Sequence, residues 1–199
     1  DLYKRSLLVV RTQTDNRGAI LAANDSDNIK FNRDTYTYMW PRDGALVAMA
    51  LTDVGCEMQV QRFFEFCRDV VTDEGYMLHK YNPDRTLGSS WHPKLRDDER
   101  QLPIQEDETA LVLVALEHYH RKYGMVEFLQ QLFHPLILPM GDWMAGFVDS
   151  KTGLPLPTYD LWEEQRGVFS YTVATTYAGL IAGACLAEAT GHLETGTRY

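Results

Sequence analysis

The sequence is short of the residues that build several kinds of site. It has three cysteines in 199 residues, Cys56, Cys67 and Cys185, and no two of them form a CxxC pair. That count excludes a disulfide framework, and the spacing excludes a zinc ribbon; buried free thiols are expected, with no metal and no cofactor. Basic residues are few as well: 19 Lys and Arg against 28 Asp and Glu leave a net charge of −9. This balance disfavours nucleic acid and anionic membrane as partners and suits a neutral ligand held by hydrogen bonds. No run of about 18 apolar residues is present, so no membrane span is expected. No signal-peptide pattern is present either, which favours a cytoplasmic location. The chain opens on Asp1 rather than Met and reads as a piece of something longer.

What is present is helical periodicity. Apolar spacing predicts helices at about 2–14, from Pro41 to Gly55, at 58–72, at 106–123, at 126–148 with a bend or break at Pro135 and Pro139, and at 169–190. Pro41 stands where proline opens a helix, and Gly55, Gly124 and Gly191 stand where glycine ends one. The stretches 110–116 and 173–189 are apolar or small on most faces, as in helices buried all round. Six helices barely supply an outer layer for such inner helices. The chain therefore reads as all-α and as about half of a double-layered helical barrel. Short and long loops alternate between the helices, and long polar loops gathered on one side suit a ligand site.

Three loops carry candidate chemistry. In the first, Tyr36 to Gly44, Arg42 lies in the first turn of a helix, the unfavourable end of the dipole for a cation. With Asp43 it forms either a structural ion pair or a donor–acceptor pair for vicinal hydroxyls. In the second, Gln105 precedes Glu106, Asp107 and Glu108, and the three acids read mainly as helix-start acids complementing the dipole. In the third, Glu163 and Glu164 follow Trp162 at a loop-to-helix junction. They are either first-turn acids or a catalytic carboxyl whose pKa is raised by its indole neighbour. Trp40, Trp91 and Trp162, with Tyr36 and Tyr38, sit in loops, where aromatic faces can stack on sugar rings or simply pack. Asp25-Ser26-Asp27-Asn28 lacks the glycine and glutamate of a calcium loop and reads as a solvated turn. Asp97-Asp98-Glu99 has the wrong spacing for a terpene-synthase magnesium motif.

Taken in order, Y-T-Y-M-W-P-R-D-G (36–44), Q-E-D-E-T-A (105–110) and Y-D-L-W-E-E-Q-R-G (159–167) resemble glycoside hydrolase family 15, the glucoamylases and glucodextranases. The resemblance covers the whole chain but only the front half of the family's (α/α)6 barrel. It implies an inverting exo-hydrolase of α-glucosidic bonds that releases β-glucose. Glu163 matches the general acid and Glu164 the adjacent substrate-binding acid. Arg42 and Asp43 match the pair that binds the terminal glucose. Tyr36 and Trp40 match aromatics lining that pocket, Gln105 matches a position near it, and Trp162 beside the acid is expected among the substrate-binding residues.

Arg100-Gln101-Leu102 stand where fungal members carry a tryptophan, which points to the bacterial or archaeal branch. No position among residues 1–199 matches the catalytic base. The resemblance therefore implies that residues 1–199 alone are inactive, and that exposed inner-helix surface drives self-association or pairing with a partner chain. Trehalose, isomaltose or dextran as substrate, or a non-catalytic regulatory module, are the alternative readings.

Overall fold

A computed structural model describes residues 1–24, 36–90, 92, 94–96 and 98–199. The turn at Asp25–Asn28, Trp91 and Asp97 lie outside the described residues. Among the described residues eight α-helices follow one another: α1 (Leu2–Thr12), α2 (Pro41–Asp53), α3 (Glu57–Val70), α4 (Glu106–Tyr123), α5 (Val126–Leu132), α6 (Leu138–Gly146), α7 (Ser170–Ala189) and α8 (Leu193–Arg198). Two small antiparallel hairpins, β1–β2 (Leu95–Arg96, Glu99–Arg100) and β3–β4 (Thr158–Tyr159, Arg166–Gly167), interrupt them.

The helices alternate between two layers. Helix α4 is the centre of the inner row, with α2 on one side and α7 on the other. Helix α3 packs behind α2 and α4, α6 packs behind α4 and α7, and α8 folds back on α7. The sequence explains α4 directly: every residue from Glu106 to Leu113 is buried, so no polar face is available. Close approach of α4 and α7 depends on Gly179, where a Cβ would lie 2.9 Å from Ala110 Cα.

The bend expected at Pro135 is a π-helical turn, Phe133–Ile137, between α5 and α6. Proline removes a donor and crowds the preceding turn, and one wider turn accommodates both. Helix α4 ends as expected, with Gly124 in the left-handed conformation at φ 64°. Helix α8 was not expected; Gly196 and Thr197 in its short sequence hide it.

Helix α7 is apolar all round, but only one side is covered. By length and composition alone it could cross a membrane, and 44% of its most apolar window is buried. Its uncovered side exposes Tyr171, Tyr177 and Ile181. Cys185 is also exposed and Cys56 half-buried, which corrects the expectation of three buried thiols; only Cys67 is buried.

Candidate active site

The N-termini of the inner helices α2 and α4 meet at one end of the molecule, and the β3–β4 hairpin packs beside them. A hollow of about 460 Å³ opens there, lined by Ala22, Tyr36, Trp40, Arg42, Asp43, Leu161, Trp162 and Glu163. Its volume falls in the range of small-molecule sites, roughly 300–1,000 Å³.

Arg42 is held in its unfavourable place by the second motif. Its Nη1 lies 3.1 Å from Asp107 Oδ2 and 3.3 Å from Glu108 Oε1, and both acids are fully buried. Its backbone N–H donates to Glu108 Oε2. Glu108 therefore satisfies an otherwise free donor at the start of α2 from across the helix interface. The acids at 107 and 108 are thus arginine ligands; neither caps its own helix. Burial by itself lowers the guanidinium's pKa, but Glu108, Asp107 and Asp43 outweigh it and hold it above its ordinary value. Asp43, 3.4 Å from Arg42 Nη2, keeps its side chain half exposed into the hollow.

Glu106 is different. Burial pushes its carboxyl up to about 8, against the Thr176 hydroxyl. A carboxyl with a folded-state pKa above its unfolded value of 4.5 favours the fold fully below pH 4.5 and loses that advantage as pH rises to about 8. Glu106→Gln should flatten this dependence. The fall in urea-unfolding free energy between pH 5 and pH 8 should shrink by up to about 3 kcal/mol. An unchanged slope would contradict a buried, proton-holding Glu106.

Glu163 sits in a tight loop between β3 and β4. Its backbone φ of 64° is in the left-handed region, uncommon for any residue but glycine. The loop is over-determined. Asp160 O accepts the Glu163 N–H at 2.9 Å and the Gln105 amide at 2.6 Å. Asp160 Oδ1 accepts the N–H groups of Glu164 and Gln165. Such strain persists only where surrounding bonds enforce it, and it gathers at functional sites. The side chain is 15% exposed; its Oε1 accepts from Trp40 Nε1 at 3.2 Å and has His79 Nε2 at 3.0 Å and Arg42 Nη2 at 3.9 Å as ion-pair neighbours.

Three expectations, the helix junction, burial by Trp162 and a raised carboxyl, are corrected here. Glu163 is in a hairpin, seven residues before α7 begins, and not in the first turn of that helix. Trp162 is 77% exposed and does not bury it; the indole that touches it is Trp40. Burial would raise the Glu163 carboxyl, but the His79 hydrogen bond and charge, with Arg42 and His92, hold it below its ordinary value.

The structure thus brings together six of the eight residues singled out in the sequence: Tyr36, Trp40, Arg42, Asp43, Trp162 and Glu163. Tyr36 stacks on Trp40 at 5.8 Å and 25°. Gln105 is fully buried and reaches the loop backbone instead of the hollow. Glu164 is exposed and outside the lining. Sequence reading missed His79 and His92. His79 is brought in where Tyr81 bridges Met39, and the two rings stack 4.4 Å apart. A single loop histidine carries no periodic signal, so only the fold reveals it. Among the described residues no group of three or more His, Cys, Asp or Glu side chains is placed to hold a metal ion.

An inner row of helices backed by an outer one, with carboxylates, an arginine and aromatics at the inner N-termini, defines an α/α-barrel type of site. The sequence profile of glycosyl hydrolases family 15 matches residues 1–199, and the chain belongs to that family. It is 28% identical over 179 residues to an uncharacterised glycosyl hydrolase of Methanocaldococcus jannaschii, covering 90% of this chain and 25% of that protein. It is 26% identical to the glucoamylase of Clostridium sp. strain G0005, covering 100% of this chain and 25% of that one.

Among solved structures it is similar to a bacterial glucoamylase complexed with acarbose, with a TM-score of 0.76 and 22% identity over 100% of this chain and 26% of that chain. Similarity to the glucoamylase of Saccharomycopsis fibuligera has a TM-score of 0.69 at 17% identity, over 91% of this chain and 40% of that one. The fold is therefore that of the (α/α)6 glucoamylases, matched in part. The chain spans about a quarter of the length of the curated relatives it matches.

Proposed function

We propose that this chain contributes the acid half of an inverting, exo-acting glycosidase that removes glucose from the non-reducing ends of α-glucans. Glu163 protonates the departing glycosidic oxygen. Arg42 and Asp43 bind hydroxyls of the terminal sugar, and Tyr36, Trp40 and Trp162 offer faces for its ring. The supporting observation is that a strained, mostly buried carboxyl shares one sugar-sized hollow with that arginine, that aspartate and those aromatics. Relatives named glucoamylases support the choice of an α-glucoside.

An inverting enzyme needs a second carboxylate, roughly 6.5–9.5 Å from the acid, to activate water. In this reading residues 1–199 form the front of the barrel, and the base comes from the remainder. Residues 1–199 alone then turn nothing over, and the uncovered face of α7 accounts for self-association or a partner chain.

Proton NMR of maltotetraose during hydrolysis by the complete protein tests the proposal. The first products should be β-glucose and maltotriose. Early α-glucose, or maltose as the first fragment, would overturn it. Relative rates on maltose, trehalose and isomaltose then assign the linkage.

A further inference from the structure

The partner of Glu163 that the fold supplies and the sequence hides is His79. It is 2% exposed, and its Nε2 lies 3.0 Å from Glu163 Oε1. The ring is fixed by a stacked column. His92 lies 4.4 Å away at 18°, and Tyr159 lies 3.9 Å beyond that at 6°. Tyr159 anchors the column to the loop itself, since its N–H donates to Ile104 O and its hydroxyl accepts from Gln101 Nε2. On the other side Trp40 meets His79 edge-on at 6.1 Å and shares the same carboxylate oxygen. The side-chain contacts of Glu163 all fall on Oε1, which leaves Oε2 without a partner among the described residues.

We infer that His79 is a positioning residue for the acid. Its Nε2, 3.0 Å from Oε1, holds that oxygen in place so that the transferable proton resides on Oε2. The Oε2 proton passes to the glycosidic oxygen as the C1–O bond breaks. Water adds at C1 and gives its proton to the second carboxylate, and solvent recharges the pair. This inference rests on the hydrolase reading above.

Other charges also surround the pair. Arg42 from α2 faces Glu163 and is itself shared with Asp43 and, behind it, with Asp107 and Glu108 of α4. Lys80 lies over the rings of Tyr38 and Trp40, while Asp160 and Glu164 belong to the acid's own turn. Burial and the charge of His79 push the stacked His92 down to about 4. Of the two stacked rings, His79 is the one that meets the Glu163 carboxylate directly.

The test uses the complete protein with His79→Gln, whose amide can donate from the place of Nε2 without charge, and His79→Ala, which cannot. The Glu163 carboxyl is titrated by carbon NMR, and kcat and KM are followed against pH. In His79→Gln the Glu163 titration and the basic limb of kcat should both move to higher pH, with KM within about twofold. His79→Ala should lose on the order of tenfold or more in kcat, most of it restored by Gln, because orientation of the acid is lost. If a folded His79→Gln protein titrates Glu163 at the wild-type pH, or if Gln is no better than Ala, the inference fails and the hydrolase reading stands. If the titration moves but the wild-type protein cleaves no α-glucoside, the pairing stands and the hydrolase reading fails.

Discussion

Arg42→Met is expected to cost about 3–5 kcal/mol of folding stability and to abolish detectable binding of the terminal sugar. The stability loss arises because Asp107 and Glu108 are fully buried and share this one guanidinium. Removing one partner of a buried ionic cluster leaves the other charges without compensation, whereas removing all of them together can be nearly neutral. Combining Arg42→Met with Asp107→Asn and Glu108→Gln should therefore recover much of the stability but none of the sugar binding. The deficit of the single variant should also depend on pH. Burial already pushes both acids above their ordinary values, and loss of the cation pushes them further. Carboxyls raised in the fold favour it at low pH and lose that advantage as pH rises, so the variant should be worst at the alkaline end. Denaturant unfolding at pH 5 and pH 8 checks the sign. A deficit that is small, or larger at pH 5, would mean that Arg42 is not the counter-ion of these acids.

Glu163→Gln is expected to reduce hydrolysis of maltooligosaccharides by about 10²–10⁴-fold, the usual contribution of a positioned general acid. Glucose binding should survive, because Arg42 and Asp43 are untouched and the amide is nearly isosteric. The variant should also fold normally. The strained φ belongs to the backbone of the loop, which Asp160 and Gln105 hold. Calorimetry with glucose beside steady-state rates separates the two effects, and loss of both together would point to a collapsed loop.

Much of this was legible in the sequence because it rests on local rules. Pro41 and the glycines punctuate the helices, and α4 and α7 announce burial by lacking a polar face. The three loop motifs also carry enough unusual residues to be singled out. What was not legible depends on which helices meet. Glu106, Asp107 and Glu108 look alike as three acids opening a helix. Yet two of them bind an arginine 65 and 66 residues away in sequence, and the third holds a proton against α7. Trp162 adjoins Glu163 in sequence but turns outward, while Trp40, 123 residues distant, donates to it. His79 and His92 have no pattern of their own and gain meaning from stacking on Tyr159.

The central claim is that Glu163 supplies a proton to a leaving group, and α-glucosyl fluoride tests it most directly, since fluoride departs without one. Glu163→Gln should lose its 10²–10⁴-fold on maltose while keeping wild-type rates on the fluoride within about tenfold. Equal losses on both substrates, or no loss on either, would contradict the assignment of Glu163 as the acid.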